Sequence, residues 1–131
     1  MIVLDTHAWI WWVSNPAFLS EKAKGIIDGE AMEKNIFIST ISTWEVVILV
    51  SRGRLKLTMD ASDWVAASEA LPFLNFVPVS NSIALKSVQL PDALHNDPAD
   101  RIIIATAISL GAVLITKDEK ISNYPHVKTA W

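Results

Sequence analysis

Asn96-Asp97-Pro98-Ala99-Asp100-Arg101-Ile102-Ile103-Ile104-Ala105-Thr106-Ala107-Ile108-Ser109-Leu110-Gly111-Ala112-Val113-Leu114-Ile115 has the clearest local grammar in the chain. Asp97 can cap free helix amides, and Pro98 fixes a helical φ at a position whose N–H would go unused. The helix runs to Leu110, where Gly111 stops it as a residue just past the C-cap. Ala112 to Ile115 is then an apolar run too short for a helix, so it reads as a strand buried on both faces. Buried strands of this kind belong to parallel sheets covered by helices.

Upstream, the same alternation repeats. Ile2-Val3-Leu4 reads as a buried strand ending at Asp5, and Thr6 to Ser14 as a helix stopped by Asn15-Pro16. A second helix runs from Leu19-Ser20-Glu21 to about Gly29, with Ser20 as cap. Asn35 to Ser39 is the second strand. Ser42 or Thr43 caps a helix through Arg52, which Gly53 ends. Asp60-Ala61-Ser62-Asp63 has the form of a reciprocal capping box opening a helix to about Leu71. Asn75 to Val79 is a weaker strand, because Pro78 suits a sheet edge. Ser80 to Leu90 is helical, Asp118 to Ser122 is a short helix, and His126 to Ala130 is a last strand. The expected fold is α/β: a three-layer α/β/α sandwich around a central, mainly parallel sheet, in one domain spanning residues 1–131.

Composition narrows the class. The chain is 51% hydrophobic and 19% charged, which excludes a disordered segment. With 131 residues, one core is expected. There is no Cys, so a metal would have to sit on oxygen or imidazole. Eleven Lys and Arg against 14 Asp and Glu give a net charge of −3, so a polyanion would need a local patch or a bound cation. The start of the chain lacks a basic segment, and no apolar run reaches the roughly 20 residues of a membrane span. A soluble, cytoplasmic protein with no membrane partner is expected.

Four acids stand out by position. Asp5 ends the first strand. Glu45 opens the helix after the second, Asp100 opens the helix entered through Asp97-Pro98, and Asp118 follows the strand Val113-Leu114-Ile115. In a parallel sheet these junctions share one edge, where ligands bind. Carboxylates about 5 Å apart repel by about 3 kcal/mol at an effective dielectric of about 20. A cation would hold such a cluster together, and all-oxygen ligands suit Mg²⁺ or Mn²⁺. A plainer reading is that first-turn acids are caps or dipole partners, each contributing about 0.3–2 kcal/mol. Asp97 fits that reading best. Glu45 fits it least, because Trp44, Val46, Val47, Ile48 and Leu49 surround it with apolar sequence, where a carboxylate needs a partner.

Met1-Ile2-Val3-Leu4-Asp5-Thr6-His7-Ala8-Trp9, Ser39-Thr40-Ile41-Ser42-Thr43-Trp44-Glu45-Val46, Asp97-Pro98-Ala99-Asp100-Arg101-Ile102-Ile103-Ile104-Ala105-Thr106-Ala107 and Leu114-Ile115-Thr116-Lys117-Asp118 together resemble the four motifs of the PIN domain, and more narrowly the VapC-type toxin nucleases. The likeness runs in order along essentially the whole chain. It implies a Mg²⁺- or Mn²⁺-dependent endoribonuclease acting on an RNA substrate, usually a homodimer, restrained by a cognate antitoxin. Residue by residue, Asp5, Glu45 and Asp100 match the core acids and Asp118 the more variable fourth. Thr116 matches the small hydroxyl residue near it, and Thr6, Thr116 and Arg101 are supporting positions. After Asp118, Glu119-Lys120-Ile121 departs from the aromatic often found there.

The chemistry so implied is metal-assisted phosphodiester hydrolysis, with Asp5 and Asp100 as direct ligands, Glu45 on metal or water, and Asp118 completing the set. It needs no general-base histidine, so His7, His95 and His126 read as structural. Arg52-Gly53-Arg54-Leu55-Lys56 is the one dense basic cluster; Arg52, Arg54 and Lys56 either balance a helix end or steer RNA phosphates. Arg101 is expected to pair with a neighbouring acid, the alternative being a contact to phosphate. Trp9, Trp11 and Trp12 make the first helix apolar all round, part core and part interface. Two other readings compete. A receiver or phosphatase-like domain would want an adjacent acidic pair or Asp-x-Asp, where this chain has Asp5-Thr6-His7. A catalytically inactive PIN-like module binding RNA or protein would gain nothing from clustered negative charge.

Overall fold

The computed structural model describes residues 1–131. Five strands, β1 (Ile2–Leu4), β2 (Ile36–Ser39), β3 (Leu74–Val77), β4 (Val113–Ile115) and β5 (Thr129–Ala130), form one sheet in the order β3-β2-β1-β4-β5. Every neighbouring pair is parallel. Parallel neighbours need long crossovers, and helices supply them. These are α1 (Thr6–Ser14), α2 (Glu21–Met32), α3 (Thr40–Ser51), α4 (Ala61–Glu69), α5 (Asn81–Val88), α6 (Pro98–Leu110) and α7 (Glu119–Ser122). No helix is long and apolar enough to cross a membrane.

The period of two along the strands splits the core. Ile2 and Leu4 of β1 pack with Ile36, Ile38 and Ile115 against Trp9 of α1, Ile27 of α2 and Val46 of α3. Val3 and Leu114 point the other way, onto Ile103, Ile104 and Ala107 of α6 and Ile121 of α7. The sheet is therefore covered on both faces, giving the three layers expected. The apolar run of β1 is explained by its place in the middle, buried throughout.

Local signals decided most boundaries. Asp97 Oδ1 accepts from the Asp100 amide at 2.9 Å, Pro98 opens α6, and Gly111 follows it at φ 64°. After α3, Gly53 sits at φ 69°; its amide bonds Val50 O while that of Arg54 bonds Leu49 O, a Schellman closure. Two caps differ from expectation. α3 starts at Thr40, capped by Ser39 Oγ on the Ile41 amide, because the last residue of β2 turns straight into the helix with no loop. Asp60 makes no side-chain cap; its Oδ2 is occupied by the Ser62 hydroxyl at 2.7 Å.

The tryptophans of α1 divide by depth. Trp9 is fully buried, its indole N–H donating to Ser68 Oγ at 3.3 Å, as a buried indole requires. Trp11 and Trp12 are half-buried against Phe18, Phe73 and Trp131. Exposed apolar side chains include Val13 of α1 and the nearby Phe18, Trp44 and Val47 of α3, and Leu85 and Val88 of α5.

Candidate active site

Strand order turns around between β1 and β4: the chain leaves β1 toward β2 on one side and β4 toward β5 on the other. Crossovers diverging at such a point leave a crevice at the carboxyl ends of the strands. The ends of β1 and β4 are tied to each other by the Asp5 amide donating to Ile115 O at 3.1 Å, and the Thr116 amide ties the end of β4 to β5 by donating to Ala130 O at 3.2 Å. A cavity of about 490 Å³ opens there, lined by Asp5, Glu45, Asp97, Asp100 and Asp118. The four acids picked from sequence are thus brought to one place, with the cap Asp97 beside them.

Each acid is held by its own donors. Asp5 caps α1, its Oδ1 accepting from the Ala8 amide at 2.8 Å. Glu45 lies in the second turn of α3, too far in to be a cap. Its partner is Thr6, whose hydroxyl donates to Oε1 at 2.5 Å and lies 2.9 Å from Ser42 Oγ. Asp100 Oδ2 meets His95 Nε2 at 2.8 Å. Asp118 caps α7 through the Lys120 and Ile121 amides, and its own amide donates to the buried Thr116 hydroxyl at 3.1 Å.

Charge in this cavity is poorly compensated. Burial pushes the Asp5, Glu45 and Asp100 carboxyls above their ordinary values. The Thr116 hydroxyl and Ala8 amide pull Asp5 part of the way back, Thr6 does so for Glu45, and His95 for Asp100. Neighbouring carboxylates push upward again: Asp100 acts on both Asp5 and Glu45, and Asp97 and Asp118 act on Asp100. No three Asp, Glu or His side chains stand close enough to form a finished metal cage, since each is turned toward its own donor. The acids are gathered but not clenched.

Other positions fall differently. Arg101 pairs with no acid; its guanidinium donates to the carbonyls of Ser87, Val88, Leu94 and His95. That corrects the expected ion pair: the loop after α5 curls around Arg101 and offers carbonyls where no carboxylate reaches. Arg52, Arg54 and Lys56 are exposed beyond the end of α3 and do not line the acidic cavity. His126 meets Asp92, away from the cavity. His95, which reads from sequence as structural, meets the site acid Asp100, and Lys117, quoted there only as part of the fourth motif, stands on the cavity wall; neither sits at a helix or strand signal that points to the site.

Residues 2–127 match the family described as PIN domain. Ribonuclease VapC22 of Mycobacterium tuberculosis is 31% identical over 132 residues, covering 99% of this chain and 98% of the relative. Among solved structures, a toxin-antitoxin complex from Klebsiella pneumoniae superposes with a TM-score of 0.66 at 24% identity, over 100% of this chain and 98% of that one. VapBC2 from Rickettsia felis, bound to a DNA fragment from its promoter, gives a TM-score of 0.72 at 20% identity, over 99% and 98% of the two chains. The sequence match and the shared fold agree: the chain belongs to the PIN domain family, in its VapC type.

Proposed function

We propose that this protein is a divalent-cation-dependent endoribonuclease, the toxin of a toxin–antitoxin pair. The observation that carries the reading is the gathering of Asp5, Glu45, Asp100 and Asp118, from four distant stretches of sequence, on one cavity at the carboxyl edge of the sheet. The 31% identical relative is named a ribonuclease, which supports the same activity here.

The donor set fits a hard cation. It offers only carboxylate oxygens, three of them on groups whose charge is left uncompensated by the protein. Asp5 and Asp100 would hold Mg²⁺ or Mn²⁺, with Glu45 and Asp118 completing the ring or holding water. When bound, the cation supplies Lewis acidity toward a phosphoryl oxygen and an attacking water. The chain itself does the rest: Thr6 aims Glu45, Thr116 braces the Asp5 and Asp118 loops, and Asp97 fixes the first turn that carries Asp100. The protein pairs as a homodimer through exposed apolar helix surface, and an antitoxin covers the acidic cavity until it is released.

Purified protein incubated with RNA, with Mn²⁺ or with chelator, tests the reading beside an Asp5→Asn control. Cleavage should need both Mn²⁺ and Asp5. Equal cleavage by the control, or in chelator, overturns it.

A further inference from the structure

The wall of the acidic cavity carries one Lys or Arg side chain, Lys117. It is exposed and makes no ion pair, although Asp118 follows it and Asp5 and Asp100 line the same space. Its Nζ instead rests over the Trp11 ring, 5.9 Å from the centroid. Trp11 is itself braced, with His7, Phe18 and Trp131 rings 5.5, 5.8 and 5.8 Å away. The backbone around Lys117 is pinned on both sides, by the Thr116 amide on Ala130 O and by Asp118 capping α7. The ammonium is therefore held at the cavity wall by an aromatic face rather than by a carboxylate.

An ammonium over an aromatic ring keeps its full charge and stays open to a stronger partner. RNA is such a partner, and it meets a difficulty here. A strand whose scissile phosphate enters a ring of acids is repelled unless the flanking phosphates find cations. The basic cluster Arg52, Arg54 and Lys56 lies off the cavity and leaves that need unmet next to the acids. We propose that Lys117, seated on Trp11, is the subsite for a backbone phosphate of single-stranded RNA adjacent to the one that is cut. Trp11 is a positioning residue that keeps the ammonium from collapsing onto Asp5 or Asp118. This inference rests on the ribonuclease reading and adds to it a residue of the substrate path.

The test measures binding apart from cleavage. A short fluorescent single-stranded oligoribonucleotide is titrated against the full chain carrying Asp100→Asn, in millimolar Mn²⁺ over a series of KCl concentrations. One lost phosphate contact should lower the slope of log affinity on log salt by about 0.7, and weaken binding about fivefold near 0.1 M salt. Lys117→Gln should show both effects, and Lys117→Arg should restore the slope. In the active background, Lys117→Gln should raise KM with kcat nearly unchanged. Trp11→Phe, which keeps an aromatic face, should bind more tightly than Trp11→Leu, with folding of each checked by its melting curve. If Lys117→Gln leaves slope and affinity unchanged while the wild type still cleaves RNA, the subsite is wrong and the ribonuclease reading stands. If the wild type neither binds nor cleaves RNA, both fall.

Discussion

His95 Nε2 lies 2.8 Å from Asp100 Oδ2, and the loop that delivers His95 is wrapped around Arg101, the residue after Asp100. Arg101 Nε donates to Ser87 O at 2.8 Å, and Nη1 reaches Leu94 O and His95 O at 3.3 and 3.4 Å. One side chain thus ties the end of α5, the loop and the start of α6 around a site acid.

Arg101→Met should consequently lose stability, because carbonyls gathered around a guanidinium are left without donors. A hydrogen bond to a charged group contributes about 1.5–3 kcal/mol, and this variant loses more than one. Urea denaturation measures the loss. A variant of wild-type stability and reduced cleavage would instead place Arg101 on substrate.

Thr6 and Glu45 offer a sharper test. Thr6→Val keeps the shape and removes the donor that steadies the Glu45 carboxylate. The Glu45 pKa should rise further, since Thr6 now pulls it down. Stability near neutral pH should fall by about 1–3 kcal/mol for the unsatisfied acid. Thr6→Ser should restore both, as read by carboxyl NMR titration and by urea midpoints.

The raised acids also set a pH dependence. In the folded chain Asp100 keeps its proton at pH values where the unfolded chain, near 3.8, has lost it. Its stabilising contribution is therefore present below that value and is lost as pH rises through the raised folded pKa. In chelator, the stability of wild type minus that of Asp100→Asn should fall across this window. Mn²⁺ binds the ionised carboxylates, so its stabilisation of the wild type should grow as pH rises, and much less in the variant. A difference between the two proteins that ignores both pH and metal would make Asp100 an ordinary first-turn acid, contributing about 0.3–1 kcal/mol.

Asp97 and Asp100 should separate by function. Asn caps about as well as Asp, so Asp97→Asn should keep both fold and metal-dependent cleavage. Asp97→Ala should cost about 0.5–2 kcal/mol through the lost bond to the Asp100 amide. Asp100→Asn should fold and fail to cleave. The reverse pattern in a cleavage assay would exchange the two roles.

Static light scattering at tens of micromolar should report a dimer. Replacing exposed apolar residues of α3 and α5, for example Trp44→Glu with Val88→Asp, should shift it toward monomer. Dissociation by changes on α1 instead would move the interface to that helix.

What the sequence disclosed depended on whether a signal was local. Asp97-Pro98 and Gly111 mark α6 at both ends because cap, ring and left-handed glycine act within one turn. Ser39 carries no separate cap signal because it is also a strand residue, so the sequence places the start of α3 three or four residues late and Glu45 in the wrong turn. The partners that give the acids their electrostatics lie far off in sequence or in unpatterned loops. Thr6 reaches Glu45 across the sheet edge, and His95 comes from a stretch with no period at all. Acid positions follow from topology, whereas their hydrogen bonds follow from packing.

β1 precedes the other four strands in sequence and is the middle strand of the sheet, with β4 completing its second side. On the ribosome, β1 waits with one edge unpaired until β4, about 110 residues later, has been made, about 6–22 s at about 5–20 residues per second. Such distant pairing also makes folding slow. Asp118 arrives only after β4, so a nascent chain carries Asp5, Glu45 and Asp100 without the edge that assembles them. The acid-lined cavity is thus among the last features of the fold to be completed, since it opens only once β4 has joined β1.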